Sequence, residues 1–276
     1  MSQPLNSYDF IADFAKIIDP MYNELDDKSA RTSVGSAKEF VKELDAFLEP
    51  MLEISRRVAD KYFIHEAPSR EEYVRHFKLK MYNERINMVQ IADKVSKLDI
   101  TEDPTQCVLL AKQAMDEANH FRLVKEVVEY YNNGPIDIES DSKIYGQPEP
   151  AKGACLIEKY QAKNDPLVLA VYQYLVEGRA ATLWTYMGEI VPDEFVAKRY
   201  AKIGRDETFH KNIGRLEIER LCTTEEAQNR VRAMLPEIIW DLWEVTCLSN
   251  TLPSEDIKQY MRESYGAPTR ELVVPV

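Results

Sequence analysis

Two short stretches decide the fold of this chain: QAMDEANHFRLV at residues 113–124 and IGRDETFHKNIG at residues 203–214. Each contains the motif Glu-x-x-His, and in each an aspartate directly precedes the glutamate. Residues three apart on an α-helix lie on the same face, about one turn along. Each motif therefore directs one carboxylate and one imidazole to the same point, and this pair of donors suits iron or manganese.

A single glutamate lies upstream of each motif at nearly the same distance. Glu84, in KMYNERINMVQIADK, precedes Glu117 by 33 positions, and Glu177, in VYQYLVEGRAATLW, precedes Glu207 by 30 positions. This spacing fits a helix, a short turn and an antiparallel return to the same depth. Such a set is typical of helical bundles that bind two metal ions. We predict six metal ligands: Glu84, Glu117, His120, Glu177, Glu207 and His210.

The sequence around these residues favours a metal site over a solvated helix face, which would explain one isolated Glu-x-x-His. Glu177 lies within the largely apolar run LVLAVYQYLVEGRAATLW. A buried charge in such a run is costly unless it is paired or metal-bound. Two of the four histidines of the chain fall in the two motifs.

Composition narrows the class of protein. A formal charge of −12 argues against a nucleic acid or an anionic membrane surface as the partner. The four cysteines are widely spaced, which favours reduced thiols over a disulfide framework. No signal peptide and no apolar run of about 20 residues is present, so we expect a cytoplasmic protein without a membrane span.

Helix signals recur along the chain, and the predicted fold class is all-α. Ser69 to Glu72 forms a capping box, and Asp103-Pro104 and Asp165-Pro166 are typical helix starts. We predict a single domain over residues 1–276. Its core helices are expected at about 69–98, 103–132, 166–191 and 192–222, with flanking helices at about 36–62 and 224–248.

The connections between these helices predict a bundle topology. Short links join the two helices of each metal-binding half, whereas a long, turn-rich stretch from Asn132 to about Gly153 separates the halves. Four helices with one long crossover in the middle form a ferritin-like four-helix bundle.

The stretches MDEANHF, YLVEGRAA and RDETFHKNIG resemble those of the ferritin-like non-heme di-iron oxygenase superfamily. Within it they are most similar to the catalytic subunit of the ring-epoxidising phenylacetyl-CoA oxygenases, over about residues 75–215. Radical-forming ribonucleotide reductase subunits carry a tyrosine where this chain has Val124. This difference argues against the reductase function.

The resemblance implies a di-iron oxygenase or oxidase that activates O2 and acts on a small organic substrate. Its reaction would be a hydroxylation, an epoxidation, an N-oxygenation or an oxidative cleavage. The implied cofactors are two iron ions, or one manganese and one iron, with O2 as co-substrate. The implied partners are an external electron donor or reductase, and a second copy of the chain or an oxygenase subunit.

Two other functions stay open at this point. One is an iron-handling ferroxidase of the ferritin type, against which the extra helices before residue 69 and after residue 223 argue. The other is a non-catalytic subunit of a multicomponent oxygenase. Such subunits usually lose their metal ligands, and all six are present here.

Residues near the ligands are candidates for supporting roles. Asp116 and Asp206 are each expected to accept the free N–H of the opposite motif's histidine, or else to be solvated charges. Small residues beside the ligands leave room for a substrate or allow close helix packing. The candidate pocket walls, which plain core packing would also explain, are Phe77, Met81, Met88, Gln113, Gln173, Tyr174, Ala181 and Trp184.

Overall fold

The computed structural model describes residues 35–66, 68–101, 103–146, 152–161 and 163–249, and residue 263. Within these ranges the chain is helical and contains no β-strand, so the all-α prediction is confirmed. None of the helices described is long and apolar enough to cross a membrane. The remaining residues of the predicted single domain, which are 1–34, 67, 102, 147–151, 162, 250–262 and 264–276, lie outside the described ranges.

The described part of the chain contains eight α-helices: α1 Ala37–Asp60, α2 Arg70–Lys97, α3 Pro104–Asn132, α4 Ile138–Tyr145, α5 Lys152–Gln161, α6 Pro166–Ile190, α7 Glu194–Leu221 and α8 Glu225–Ser249. Helix α1 continues into a π-helical turn, Lys61–Glu66.

The helix starts follow the capping signals of the sequence. Ser69 and Glu72 form the predicted capping box, in which the Glu72 carboxylate accepts from the Ser69 backbone N–H at 2.8 Å. Asp103 and Asp165 cap α3 and α6, each with proline as the first helical residue. Helix α7 begins two residues later than predicted, because the Asp193 side chain caps it by accepting from the second and third backbone N–H groups beyond it.

The four long helices α2, α3, α6 and α7 form the bundle. Helix α2 packs along α3, and α6 packs along α7. The segment between α3 and α6 carries α4 and α5, which both pack on α2. Helices α1 and α8 flank the bundle and contact α6.

Two apolar clusters occupy different parts of the bundle and leave a polar layer between them. Along α6, Val171 and Leu175 belong to the cluster shared with α1, α5 and α8. Leu183 and Trp184 belong to the second cluster, shared with α2, α3 and α7. Glu177 lies between these two groups on the same helix. The apolar core is interrupted at the level of Glu177, and the predicted ligands meet there.

Glycines bring α6 and α7 unusually close together. A Cβ atom at Gly204 would clash with Thr185 Oγ1 and would lie 2.8 Å from Thr185 N. One at Gly214 would lie 2.7 Å from Tyr174 N. Gly178 of α6 instead faces α1, where an added Cβ would meet Leu48 Cδ2 at 3.1 Å. Gly178 and Gly214 therefore serve close helix packing rather than space for a substrate.

Candidate metal centre

The structure brings all six predicted ligands together in two overlapping groups. In each group the candidate ligand atoms lie within 4.8 Å of one another. Glu117 and Glu207 belong to both groups and connect them. All of the six side chains are buried except Glu177, which is partly buried. One group consists of Glu84, Glu117, His120 and Glu207, and the other of Glu117, Glu177, Glu207 and His210.

Both histidines direct the Nδ1 atom towards the carboxylates. His120 Nδ1 lies 3.6 Å from Glu117 Oε2, 3.5 Å from Glu207 Oε1 and 3.7 Å from Glu84 Oε2. His210 Nδ1 lies 2.9 Å from Glu207 Oε2 and 3.3 Å from Glu117 Oε1. The same ring atom is thus the candidate ligand in both halves.

The other ring nitrogen of each histidine faces an aspartate of the opposite motif. His210 Nε2 lies 3.3 Å from Asp116 Oδ2, and His120 Nε2 lies 3.4 Å from Asp206 Oδ2. This is the crossed pairing that the sequence predicted. An acceptor on Nε2 places the proton there and leaves the Nδ1 lone pair available for a metal ion.

Each aspartate also pairs with a lysine one turn earlier on its own helix. Lys112 Nζ donates to Asp116, and Lys202 Nζ donates to Asp206. These lysines were not among the residues predicted from the sequence. The signal was present, since KQAMDEANH at 112–120 and KIGRDETFH at 202–210 repeat Lys-x-x-x-Asp-Glu-x-x-His. In each copy of the repeat the lysine contacts the aspartate, and the aspartate contacts the histidine of the other copy.

Burial and mutual repulsion shape the electrostatics of the carboxylates. Burial raises the pKa of Glu117 to about 7. Burial, together with the charges of Glu177 and Glu117, raises the pKa of Glu207 well above its usual range. For Asp206 burial opposes ionisation, but hydrogen bonds from His120 and Lys202 prevail and lower the pKa to about 2. Burial and the neighbouring carboxylates therefore disfavour the ionised forms of Glu117 and Glu207, and a cation in the cluster would favour them.

The residues present fit a metal ion. Glu117 Oε2 and His120 Nδ1 are buried and have no hydrogen-bond partner. Such atoms cost free energy in a folded protein unless something satisfies them. Both atoms belong to the candidate ligand set and face the centre of the cluster. Four carboxylates and two imidazoles without a thiolate suit iron or manganese better than a structural zinc ion.

Glutamines hold one carboxylate of the second group in place. Gln113 Nε2 donates to Glu177 Oε1 at 2.8 Å, and Gln173 Nε2 donates to Gln113 Oε1 at 2.9 Å. Gln173 Nε2 also lies 3.4 Å from the backbone oxygen of His210. The chain of amides fixes the orientation of Glu177, the least buried of the six ligands.

A cavity of about 120 Å³ adjoins the carboxylates. Four of the candidate ligands line it, as do the predicted pocket residues Gln113, Gln173 and Trp184. The walls that the sequence analysis did not name include Lys80, Ile91, Tyr172, Val176, Arg179, Ala180 and Leu183. Lys80 and Ile91 lie four and seven positions from Glu84, and Ala180 lies three positions from Glu177, so helical spacing was the signal for these three.

The other five predicted pocket residues do not line this cavity. Phe77 and Met81 are fully buried in the second apolar cluster. Met88 lines a separate groove beside α4. Tyr174 donates to Asp45 on α1 at 2.6 Å. Ala181 is buried, and it is the neighbouring Ala180 that faces the cavity.

No family model matches the chain, and no curated protein or solved structure is significantly similar to it. The functional interpretation therefore depends on the geometry of this site.

Proposed function

We propose that the protein is a non-heme di-iron oxidoreductase that activates O2 to oxidise a small organic substrate. The observation that carries the proposal is the sharing of Glu117 and Glu207 between two ligand groups beside a cavity. When bound, two ferrous ions would supply the two electrons that reduce O2. A manganese and an iron ion together would also suit the donors.

The side chains around the ions have separate tasks. Carboxylates can change between bridging and terminal binding, whereas the imidazoles are held by the crossed contacts to Asp116 and Asp206. Lys112 and Lys202 form ion pairs with these aspartates, and their positive charges favour the ionised carboxylates. The histidines thereby stay neutral at Nδ1 once a metal replaces the proton there.

The cavity provides the place for an organic substrate. Ile91, Val176 and Leu183 supply apolar wall next to the carboxylates, and Trp184 lines the same space. Such a wall excludes water from part of the site and holds an apolar group beside the metal-binding residues. A centre that only oxidised and passed on iron would not need this wall.

Repeated turnover requires two further electrons, which come from outside unless the substrate itself donates them. The sequence carries no flavin or iron–sulfur motif that would hold them. We therefore propose an external electron donor or reductase as a partner, with a second copy of the chain or an oxygenase subunit as a further one.

Iron titration under O2 tests the proposal against the ferroxidase alternative. Ferrous ion is added stepwise to metal-free protein, and bound iron and consumed O2 are measured at each step. The proposal predicts saturation at about two iron ions per chain. Uptake of many irons per chain would favour the ferroxidase. The double variant Glu117→Ala, Glu207→Ala is the control. If the wild-type protein consumes O2 no faster than this variant, the result would favour a non-catalytic subunit.

A further inference from the structure

The charges around the cavity are not balanced once the carboxylates hold metal ions. Four carboxylates line the cavity, and two divalent ions would offset them. Three cationic side chains line the same cavity: Lys80, Lys94 and Arg179. Glu217 opposes the charge of Lys94, so in the state that the proposed function requires it is Lys80 and Arg179 that attract an anion to the cavity.

Lys80 is the most informative of these cations. It is only 8 % exposed, and it faces the cavity. Among the residues that the structure describes, it has neither a hydrogen-bond acceptor nor an ion-pair partner within bonding distance. Its ammonium lies 5.6 Å from the centre of the Trp184 ring. A buried ammonium without an acceptor is costly unless a ligand supplies one.

Arg179 adds a second positive charge nearby. It is 9 % exposed and lines the same cavity. Burial and the charge of Arg179 lower the pKa of Lys80 to about 8, against the opposing effect of Glu84. An anionic group beside Lys80 and Arg179 would remove this repulsion and favour the charged form of the lysine.

We propose that the substrate of this site is a small organic acid whose carboxylate binds Lys80 and Arg179. Its apolar part lies against Ile91, Val176 and Leu183. This inference rests on the proposed function, because the excess of positive charge arises when metal ions occupy the carboxylates.

The position of Lys80 along α2 separates it from Lys94. Lys80 lies one turn before Glu84, whereas Lys94 lies 14 residues beyond Lys80, about 21 Å of helix rise away. The two lysines thus line opposite ends of one cavity. Lys94→Met is therefore a matched control for Lys80→Met, with the same side-chain change on the same helix.

Calorimetric titration of the metal-loaded protein with hexanoate and with hexanamide tests the inference. The two probes have the same apolar chain and differ in charge. The wild-type protein should bind hexanoate at least tenfold more tightly than hexanamide, the scale of a charge-assisted hydrogen bond. Lys80→Met should remove most of this preference and leave hexanamide binding unchanged, whereas Lys94→Met should keep the preference.

Three outcomes would overturn the inference. Hexanoate and hexanamide could differ by less than twofold in the wild-type protein, which includes the case that neither binds. The preference could survive in Lys80→Met, as expected of a carboxylate that binds the metal ions alone. Or Lys94→Met could abolish it. Metal analysis of each variant separates this inference from the proposed function, since a failed anion preference with two ions still bound contradicts the substrate class alone.

Discussion

His210 Nε2 lies 3.3 Å from Asp116 Oδ2, although the two residues belong to different Glu-x-x-His motifs on different helices. The equivalent contact joins His120 and Asp206 at 3.4 Å. Each aspartate directly precedes a glutamate that both ligand groups share. The two halves of the site are therefore linked twice, so that a change in one aspartate acts on the histidine of the other half.

Replacing Asp116 or Asp206 with Asn should weaken metal binding by roughly 10- to 100-fold, because the histidine loses the negatively charged acceptor that orients it. Competition with a coloured chelator measures the metal affinity. Asp141→Asn is the control, since Asp141 is also buried and pairs with Lys78, away from the site. Equal losses in Asp116→Asn and Asp141→Asn would show that the effect is a general destabilisation.

Glu117→Gln should stabilise the metal-free protein and abolish stabilisation by metal. The six ligands carry up to four negative charges and at most two positive ones, so removing one buried charge favours folding. We expect a rise in Tm of the metal-free protein of roughly 2–4 °C, corresponding to about 1 kcal/mol. Metal should raise the Tm of the wild type but not that of the variant.

Glu43→Gln provides the comparison for this experiment. Glu43 pairs with Arg232 at 2.8 Å and is not among the ligands. Its replacement should leave the metal-dependent rise in Tm intact. A metal-free Glu117→Gln protein that melts below the wild type would contradict the view that the carboxylates repel one another.

Gly204→Ala should destabilise the fold by about 1–3 kcal/mol, because the added Cβ meets Thr185 and forces α6 away from α7. Urea unfolding measures the change. Gly134→Ala is the control, since a Cβ at Gly134 meets nothing within 4 Å. If both variants unfold at the same urea concentration, the close approach of α6 and α7 does not contribute to stability.

Gln113→Leu should weaken one of the two metal positions. It removes the 2.8 Å hydrogen bond to Glu177, and Glu177 belongs to only one ligand group. Ferrous titration should then change from one phase to two. Gln90→Leu is the control, because Gln90 bonds to Glu158 and does not line the cavity. A parallel loss at both metal positions would contradict this role.

The ligand set could be predicted because helical geometry relates sequence spacing to direction. Residues three apart share a face, and helices joined by a short link return at the same depth. The starts of α2, α3 and α6 were likewise marked by Ser69, Asp103 and Asp165, whose side chains cap the first turn. These features depend on residues that are close in the sequence, so they could be predicted without knowledge of the tertiary structure.

The extent of the cavity could not be predicted, because it depends on which end of the bundle is filled by packed side chains. Phe77 and Met81 share the face of Glu84, but Phe77 stacks on Tyr200 with ring centres 5.4 Å apart. This packing closes the bundle on their side. The cavity extends instead towards Ile91 and Lys94, where α5 contributes Leu156. The position of α5 is a tertiary feature that periodicity does not encode.

Mössbauer spectroscopy of protein reconstituted with isotopically enriched iron tests the central claim most directly. The claim is that the six residues hold two iron ions bridged by Glu117 and Glu207. The account predicts about two iron ions per chain that, after exposure to O2, are ferric and magnetically coupled. A spectrum of isolated, uncoupled ferric iron, or a chain that retains one zinc ion and excludes iron under iron-replete conditions, would contradict it.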